Sequence, residues 1–145
     1  MAQDNISIIK EVYDCFNRRD FKATSKLIDN NAEFQNVPAN MTFKGPDGFI
    51  QVLEGWRKGF PDSKIKINNI FGSGDMVVCE FTGAGTHTGP FMTPDGELMP
   101  TNKKLNLPFC DIIRLKNGKV ISIRTYYDAV TIMKQLGIMP ELKHS

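Results

Sequence analysis

Apolar residues recur first at helical spacing and later at a period of two. Ile6, Ile9, Tyr13 and Phe16 lie three or four apart and form one stripe. That spacing predicts a first helix, with Asp4 or Asn5 as its cap. Asp20 opens a second helix, with Phe21, Thr24, Leu27 and Ile28 facing inward and Asn30-Asn31 at its end. A short extended piece, Ala32 to Val37, runs up to Pro38. Gly45-Pro46 starts a third helix, where the N–H that proline lacks costs little. Phe49, Ile50, Leu53, Trp56 and Phe60 give it a broad apolar face, and Pro61 stops it.

From Lys64 the period changes. Ile65 and Ile67 alternate with lysines, and Gly72-Ser73-Gly74-Asp75 reads as a turn. Met76 to Ala84 reads as a buried strand, Gly85 to Asn102 as a long hairpin loop, and Lys103 to Lys116 as the clearest strand. Asn117-Gly118 is a two-residue hairpin turn, because both positions tolerate positive φ. Lys119 to Tyr127 returns as the partner strand. Asp128 caps a last short helix carrying Val130, Met133 and Leu136, with Gly137 at its C′ position. Helices followed by a run of antiparallel strands predict an α+β fold: a curved sheet with helices over its concave face.

The chain of 145 residues fits one domain, 1–145, with a core from about residue 6 to 137 and a tail over 138–145. Hydrophobic residues make up 41% and charged residues 23%, a globular balance. The net charge is +2 and contains no basic block, which argues against a nucleic-acid or anionic-membrane partner. Three cysteines without CxxC spacing, and only His87 and His144 as histidines, support neither a disulfide framework nor a zinc site. No signal peptide and no membrane-length apolar run is visible, so a cytoplasmic protein with reduced thiols is expected.

One residue does not fit its surroundings. Leu105, Leu107, Phe109, Asp111, Ile113 and Leu115 alternate along one strand and share a face. Five are apolar and one is an acid. Burial disfavours the charged form of a carboxylic acid and raises its pKa, so Asp111 is the first candidate for catalysis. The other reading is a buried pair. A plain two-residue turn sets Lys116 opposite Lys119, Phe109 opposite Tyr126, Asp111 opposite Arg124 and Ile113 opposite Ser122. Arg124 would then sit beside Asp111 and hold it ionised. A one-residue bulge would move Arg124 to the other face.

His87, in Gly85-Thr86-His87-Thr88-Gly89, shares parity with Val77, Cys79 and Phe81. At a pocket mouth it could bind a substrate oxygen or relay a proton; in a loop it could fix a backbone group instead. Tyr13, Phe16, Trp56, Phe91 and Tyr126 are candidates to line an apolar cavity, and also candidates for ordinary core. Gln35 or Asn36, beside Phe34, could offer an amide to a ligand. No P-loop, Rossmann fingerprint, nucleophile elbow or zinc spacing occurs.

These segments together resemble the SnoaL-like polyketide cyclases (ester cyclases) of the nuclear-transport-factor-2-like superfamily. The resemblance runs from about Ile6 to Gly137. Its parts are Phe60-Pro61-Asp62, Gly85 to Phe91, Pro94-Asp95-Gly96, Phe109 to Arg114, Asn117 to Val120, Tyr126-Tyr127-Asp128 and Gln135-Leu136-Gly137. It implies a cone-shaped sheet under helices, usually as a homodimer. It further implies an acid/base at Asp111 that closes a ring by intramolecular aldol chemistry without metal or cofactor, and a family histidine at His87. Where relatives often carry a histidine this chain has Gln35, and where they carry tryptophan then aspartate it has Arg124 and Thr125. Three functions follow as expectations. The first is a cofactor-free cyclase or isomerase acting through Asp111 and His87 on a small hydrophobic carbonyl compound, bound by Arg124, Gln35, Trp56, Phe91, Tyr126, Tyr13 and Phe16. The second is a non-catalytic, dimeric small-molecule-binding module. The third is an epoxide hydrolase, which needs two acids and an arginine.

Overall fold

The computed structural model describes residues 2–139, so His144 and the last part of the expected tail lie outside them. Helix α1 (Ala2–Arg18) carries the predicted stripe, with Ile9, Val12, Tyr13 and Phe16 buried. It begins slightly before the expected caps. Helix α2 (Phe21–Ser25) is a short turn capped by Asp20, whose carboxylate accepts from Ala23 N–H at 3.1 Å. The predicted second helix stops early, because Ile28 already belongs to strand β1 (Ile28–Asn36). A short strand β2 (Met41–Lys44) follows, and then helix α3 (Gly45–Gly59) with Pro46 in its first turn.

Strands β3 (Lys64–Ser73) and β4 (Met76–Thr86) form a long hairpin. The region expected to be one loop holds a small hairpin of its own, β5 (Phe91–Thr93) with β6 (Gly96–Leu98). Strands β7 (Lys104–Lys116) and β8 (Lys119–Tyr127) flank the Asn117-Gly118 turn, whose φ values are 52° and 77°. Helix α4 (Ala129–Leu136) is capped by Asp128. It closes on Gly137 at φ 71°, with Ile138 N–H bonded to the Met133 carbonyl at 2.9 Å.

The large curved sheet has the order β2-β1-β8-β7-β4-β3 and does not close into a barrel. Its neighbours are antiparallel except β1 and β8, which run parallel. The expected all-antiparallel sheet is therefore mixed. Period-two patterning assigns each side chain to a face but says nothing of strand direction. Helix α1 packs on β3 and β4, and α3 packs on β1. The Asn17 side chain pins the end of α1 to the outer strand, donating to the Ile65 carbonyl and accepting from its N–H, both at 2.8 Å. Arg19, in the left-handed region at φ 61°, turns the chain there and donates to the Ser63 carbonyl at 2.6 Å. These bonds hold Tyr13 and Phe16 over the concave face.

Candidate active site

Strand β7 alternates as expected. Leu105, Leu107, Phe109, Asp111, Ile113 and Leu115 are all buried, and Asp111 is only 5% exposed. Each of its carboxylate oxygens accepts one hydroxyl. Tyr13 Oη donates to Oδ2 at 2.6 Å and Thr125 Oγ1 donates to Oδ1 at 2.6 Å. Burial raises the Asp111 carboxyl from 3.8 to about 6, against the pull of the Thr125 and Tyr13 hydrogen bonds. Desolvation wins because both donors are neutral and, among the described residues, no cation is paired with the acid. Burial, then the nearby Asp111, likewise push the Tyr13 phenol well above its ordinary value.

Asp111 borders a partly enclosed cavity of about 120 Å³ between the sheet and helices α1 and α3. For scale, an apolar cavity of roughly 150 Å³ takes up one benzene molecule. Aromatic rings dominate its wall. Phe81 and Phe109 stack with centroids 5.0 Å apart, and Trp56 meets Phe109 edge-on at 5.7 Å. Gly83 is part of this design: a Cβ there would come within 2.9 Å of the Phe109 ring.

Strand β8 corrects two expectations with one cause. Register shifts between Arg114 and Leu115, so Arg114 faces Ser122 while Leu115 faces Val120. Beyond this bulge every β8 residue is displaced by one. Asp111 faces Thr125 instead of Arg124, and Phe109 faces Tyr127 instead of Tyr126. Arg124 is exposed on the outer face, its guanidinium 5.7 Å from the Tyr126 ring centroid. Neither residue lines the cavity; Thr125 and Tyr127 do.

His87 also differs from its expected place. It points inward, but it is wholly buried behind Phe60, with the two rings stacked at 5.2 Å. Phe60 lines the cavity and His87 does not. Nδ1 accepts the Thr101 N–H at 3.2 Å and lies 3.0 Å from Thr101 Oγ1. The ring thus fixes a backbone amide, because β4 continues through Thr86 and carries His87 past the cavity into the base of the β5–β6 hairpin. Burial lowers its pKa, opposed by the Gly89 backbone.

Tyr13, Phe16 and Trp56 line the cavity as expected. Phe91 does not; it packs against Trp56, with ring centroids 4.9 Å apart. Gln35 borders the cavity, but its side chain is exposed, whereas Asn36 shares the face of buried Phe34. Of the two amide candidates, Asn36 is thus the better placed, and the residues that sequence reasoning missed are Thr125 and Tyr127. A signal for both was present. Val120 and Ile123 are both buried although three positions apart, which a strict period of two forbids without a bulge. Among the described residues no group of three or more His, Cys, Asp or Glu is placed to hold a metal ion, and no helix is long and apolar enough to cross a membrane.

The sequence profile of SnoaL-like polyketide cyclases matches residues 7–136. The chain belongs to that family. No curated protein matches this SnoaL-like chain in sequence. Solved structures share its fold at low identity. AclR, a proposed hydroxylase from Streptomyces galilaeus, is 20% identical with a TM-score of 0.81, over 99% of this chain and 91% of that one. IdmH, a proposed polyketide cyclase from Streptomyces antibioticus, is 24% identical with a TM-score of 0.78, over 92% and 98%. An LEH-like epoxide hydrolase of M. tuberculosis is 16% identical with a TM-score of 0.72, over 93% and 90%. These likenesses carry the fold, the nuclear-transport-factor-2-like α+β arrangement, and not a reaction.

Proposed function

We propose that this SnoaL-like protein is a cyclase or isomerase for a small hydrophobic carbonyl compound, with Asp111 as the general acid/base. One observation carries the reading: a carboxyl group near pKa 6 at the wall of an aromatic cavity, bonded only to neutral hydroxyls. A base poised near the working pH is the effective one, and such proton transfer contributes about 10²–10⁴ in rate. Each Asp111 oxygen keeps a lone pair after accepting its hydroxyl, so one can receive a proton from carbon.

The steps balance without an outside oxidant or reductant. Asp111 takes the proton from the carbon beside the carbonyl, and the electron pair of that C–H bond becomes the enolate. In a cyclisation the enolate carbon attacks a second carbonyl of the same molecule. A C–C bond forms, and the new alkoxide takes the proton back from Asp111. In an isomerisation the proton returns to a different carbon and the double bond shifts. The cavity volume favours a compound of about one ring, or a longer one folded with only its reacting end inside.

The epoxide-hydrolase alternative loses its support. Among the described residues Asp111 is the only acid on the cavity wall, and Arg124 lies on the outer face. The static-pair version of a binding module needed Arg124 beside Asp111 and a depressed carboxyl; Asp111 is raised instead. The test is deuterium uptake from heavy water at the α-carbon of a small cyclic ketone, 2-indanone, followed by NMR. Wild type is expected to exchange above the buffer rate and Asp111→Asn at the buffer rate. Equal rates for the two proteins would end the proposal.

A further inference from the structure

An enolate needs a hydrogen-bond donor at its oxygen as well as a base at its carbon, and such donors are often the larger contribution. The hydroxyls nearest the acid are already committed. Tyr13 and Thr125 both give their protons to Asp111. Tyr127 remains. It follows Thr125 by two on β8, so its side chain emerges on the same face, one pleat further along the cavity wall. It lies diagonal to Asp111 across the β7–β8 pair, where backbone positions are about 7–8 Å apart and long side chains can still meet. Both groups face the same cavity, where a small carbonyl compound can meet the acid at its α-carbon and the phenol at its oxygen.

The surroundings of Tyr127 orient it for this task. Asn36 stands on β1 opposite Thr125, two residues before Tyr127 along β8. Its Oδ1 accepts the Ala39 N–H at 3.3 Å. That bond fixes which end of the amide is the acceptor. Burial raises the Tyr127 phenol above its ordinary value, opposed by a hydrogen bond with the Asn36 side chain. An amide that donates to the phenol oxygen leaves the phenol proton free to donate in turn. Trp56 holds the Tyr127 ring at an 81° edge contact, and Phe109 packs on it at 5.3 Å. Among the described residues no other aromatic hydroxyl lines the cavity apart from the committed Tyr13.

We infer that Tyr127 is a second catalytic residue, donating its hydroxyl proton to the substrate's carbonyl and enolate oxygen, with Asn36 as the positioning residue that aims it. The inference rests on the acid/base reading of Asp111. It narrows the substrate class to compounds with a carbonyl group next to the carbon that is deprotonated, that is, ketones, esters or thioesters with an α-hydrogen.

The deuterium exchange of 2-indanone separates the two assignments. Tyr127→Phe keeps the ring, and is expected to lower kcat by about 10²-fold with KM changed less than threefold. Tyr126→Phe, the outward neighbour, is the control at wild-type rate. Asn36→Ala is expected to lose about tenfold in kcat, with the basic limb of the pH profile displaced; a purely structural role would leave that limb in place. Should Tyr127→Phe aggregate, Tyr127→Met in the same assay with a thermal melt replaces it. If Asp111→Asn is inactive while folded Tyr127→Phe keeps a third or more of the rate, the donor assignment falls and the base assignment stands. If Asp111→Asn exchanges as fast as wild type, or wild type does not exceed buffer, both fall.

Discussion

Tyr13, on the first helix, donates to Asp111, 98 residues away on β7, at 2.6 Å. This bond makes the helical layer part of the acid's environment rather than a cover for it. With Thr125 it opposes the desolvation that raises the carboxyl. Removing either donor removes a term that favours the ionised form, since a hydrogen bond to a charged group is worth about 1.5–3 kcal/mol. Tyr13→Phe and Thr125→Val are therefore each expected to raise the Asp111 carboxyl further, by about one pH unit or more. The acid limb of the kcat/KM profile for exchange should move upward by that amount in both variants. An unmoved limb would show that the limb does not report Asp111.

The same acid sets a trade between activity and stability. Its folded pKa is raised, from 3.8 to about 6. Between these values the native state holds a proton that the unfolded chain has released. Stability from this group is thus complete below pH 3.8, declines as pH rises through 6, and is absent above. The shift corresponds to at most about 3 kcal/mol. Asp111→Asn removes the charge and keeps the shape, although one hydroxyl must turn to accept the amide. It is expected to raise stability at pH 7.5 by about 1–3 kcal/mol while abolishing exchange, and to give no gain near pH 4. Urea titrations of both proteins at the two pH values check this.

Much of this site was legible in the chain. The inward parity of Asp111, the Asp20 and Asp128 caps and the Asn117-Gly118 turn all depend on neighbours within a few residues, and each is found in place. What failed was register, which depends on how two strands meet. One extra residue near Ile121 exchanged Arg124 for Thr125 and Tyr126 for Tyr127. Patterning alone would have found it had the burial of both Val120 and Ile123 been imposed. His87 failed for a different reason: parity gave its face correctly but not the length of β4, and hence not its depth beyond Phe60. The parallel pairing of β1 with β8 leaves no local trace at all.

The corrected register is itself open to test. Arg124 projects from the outer face, and among the described residues no charged group is paired with Asp111 on the inner one. Arg124→Ala is expected to leave the acid limb of the exchange profile within about 0.2 units of wild type and kcat within twofold. An upward shift of the limb, or a loss of activity like that of Asp111→Asn, would place the guanidinium inside and refute the bulge. Thr125→Ala in the same series should behave as Thr125→Val.

His87 titrates in the opposite sense to Asp111. Its ring is enclosed, stacked on Phe60, and Nδ1 accepts the Thr101 N–H, an arrangement that only the neutral ring can make. Burial lowers its folded pKa below the ordinary 6.5. Below 6.5 the unfolded chain takes up a proton that the native state refuses. Stability from His87 is therefore present above 6.5 and lost as pH falls beneath it. In wild type, Asp111 gains stability over part of the same range and masks the loss. The Asp111→Asn background removes the mask: there, stability is expected to fall steadily from pH 7 to 5. Adding His87→Leu should flatten that fall and, at pH 7.5, cost about 1–3 kcal/mol for the unpaired Thr101 N–H. Exchange at Asp111, measured in the single His87→Leu variant, should stay within threefold of wild type, because Phe60 separates the ring from the cavity. A large loss in kcat with intact folding would return His87 to the chemistry.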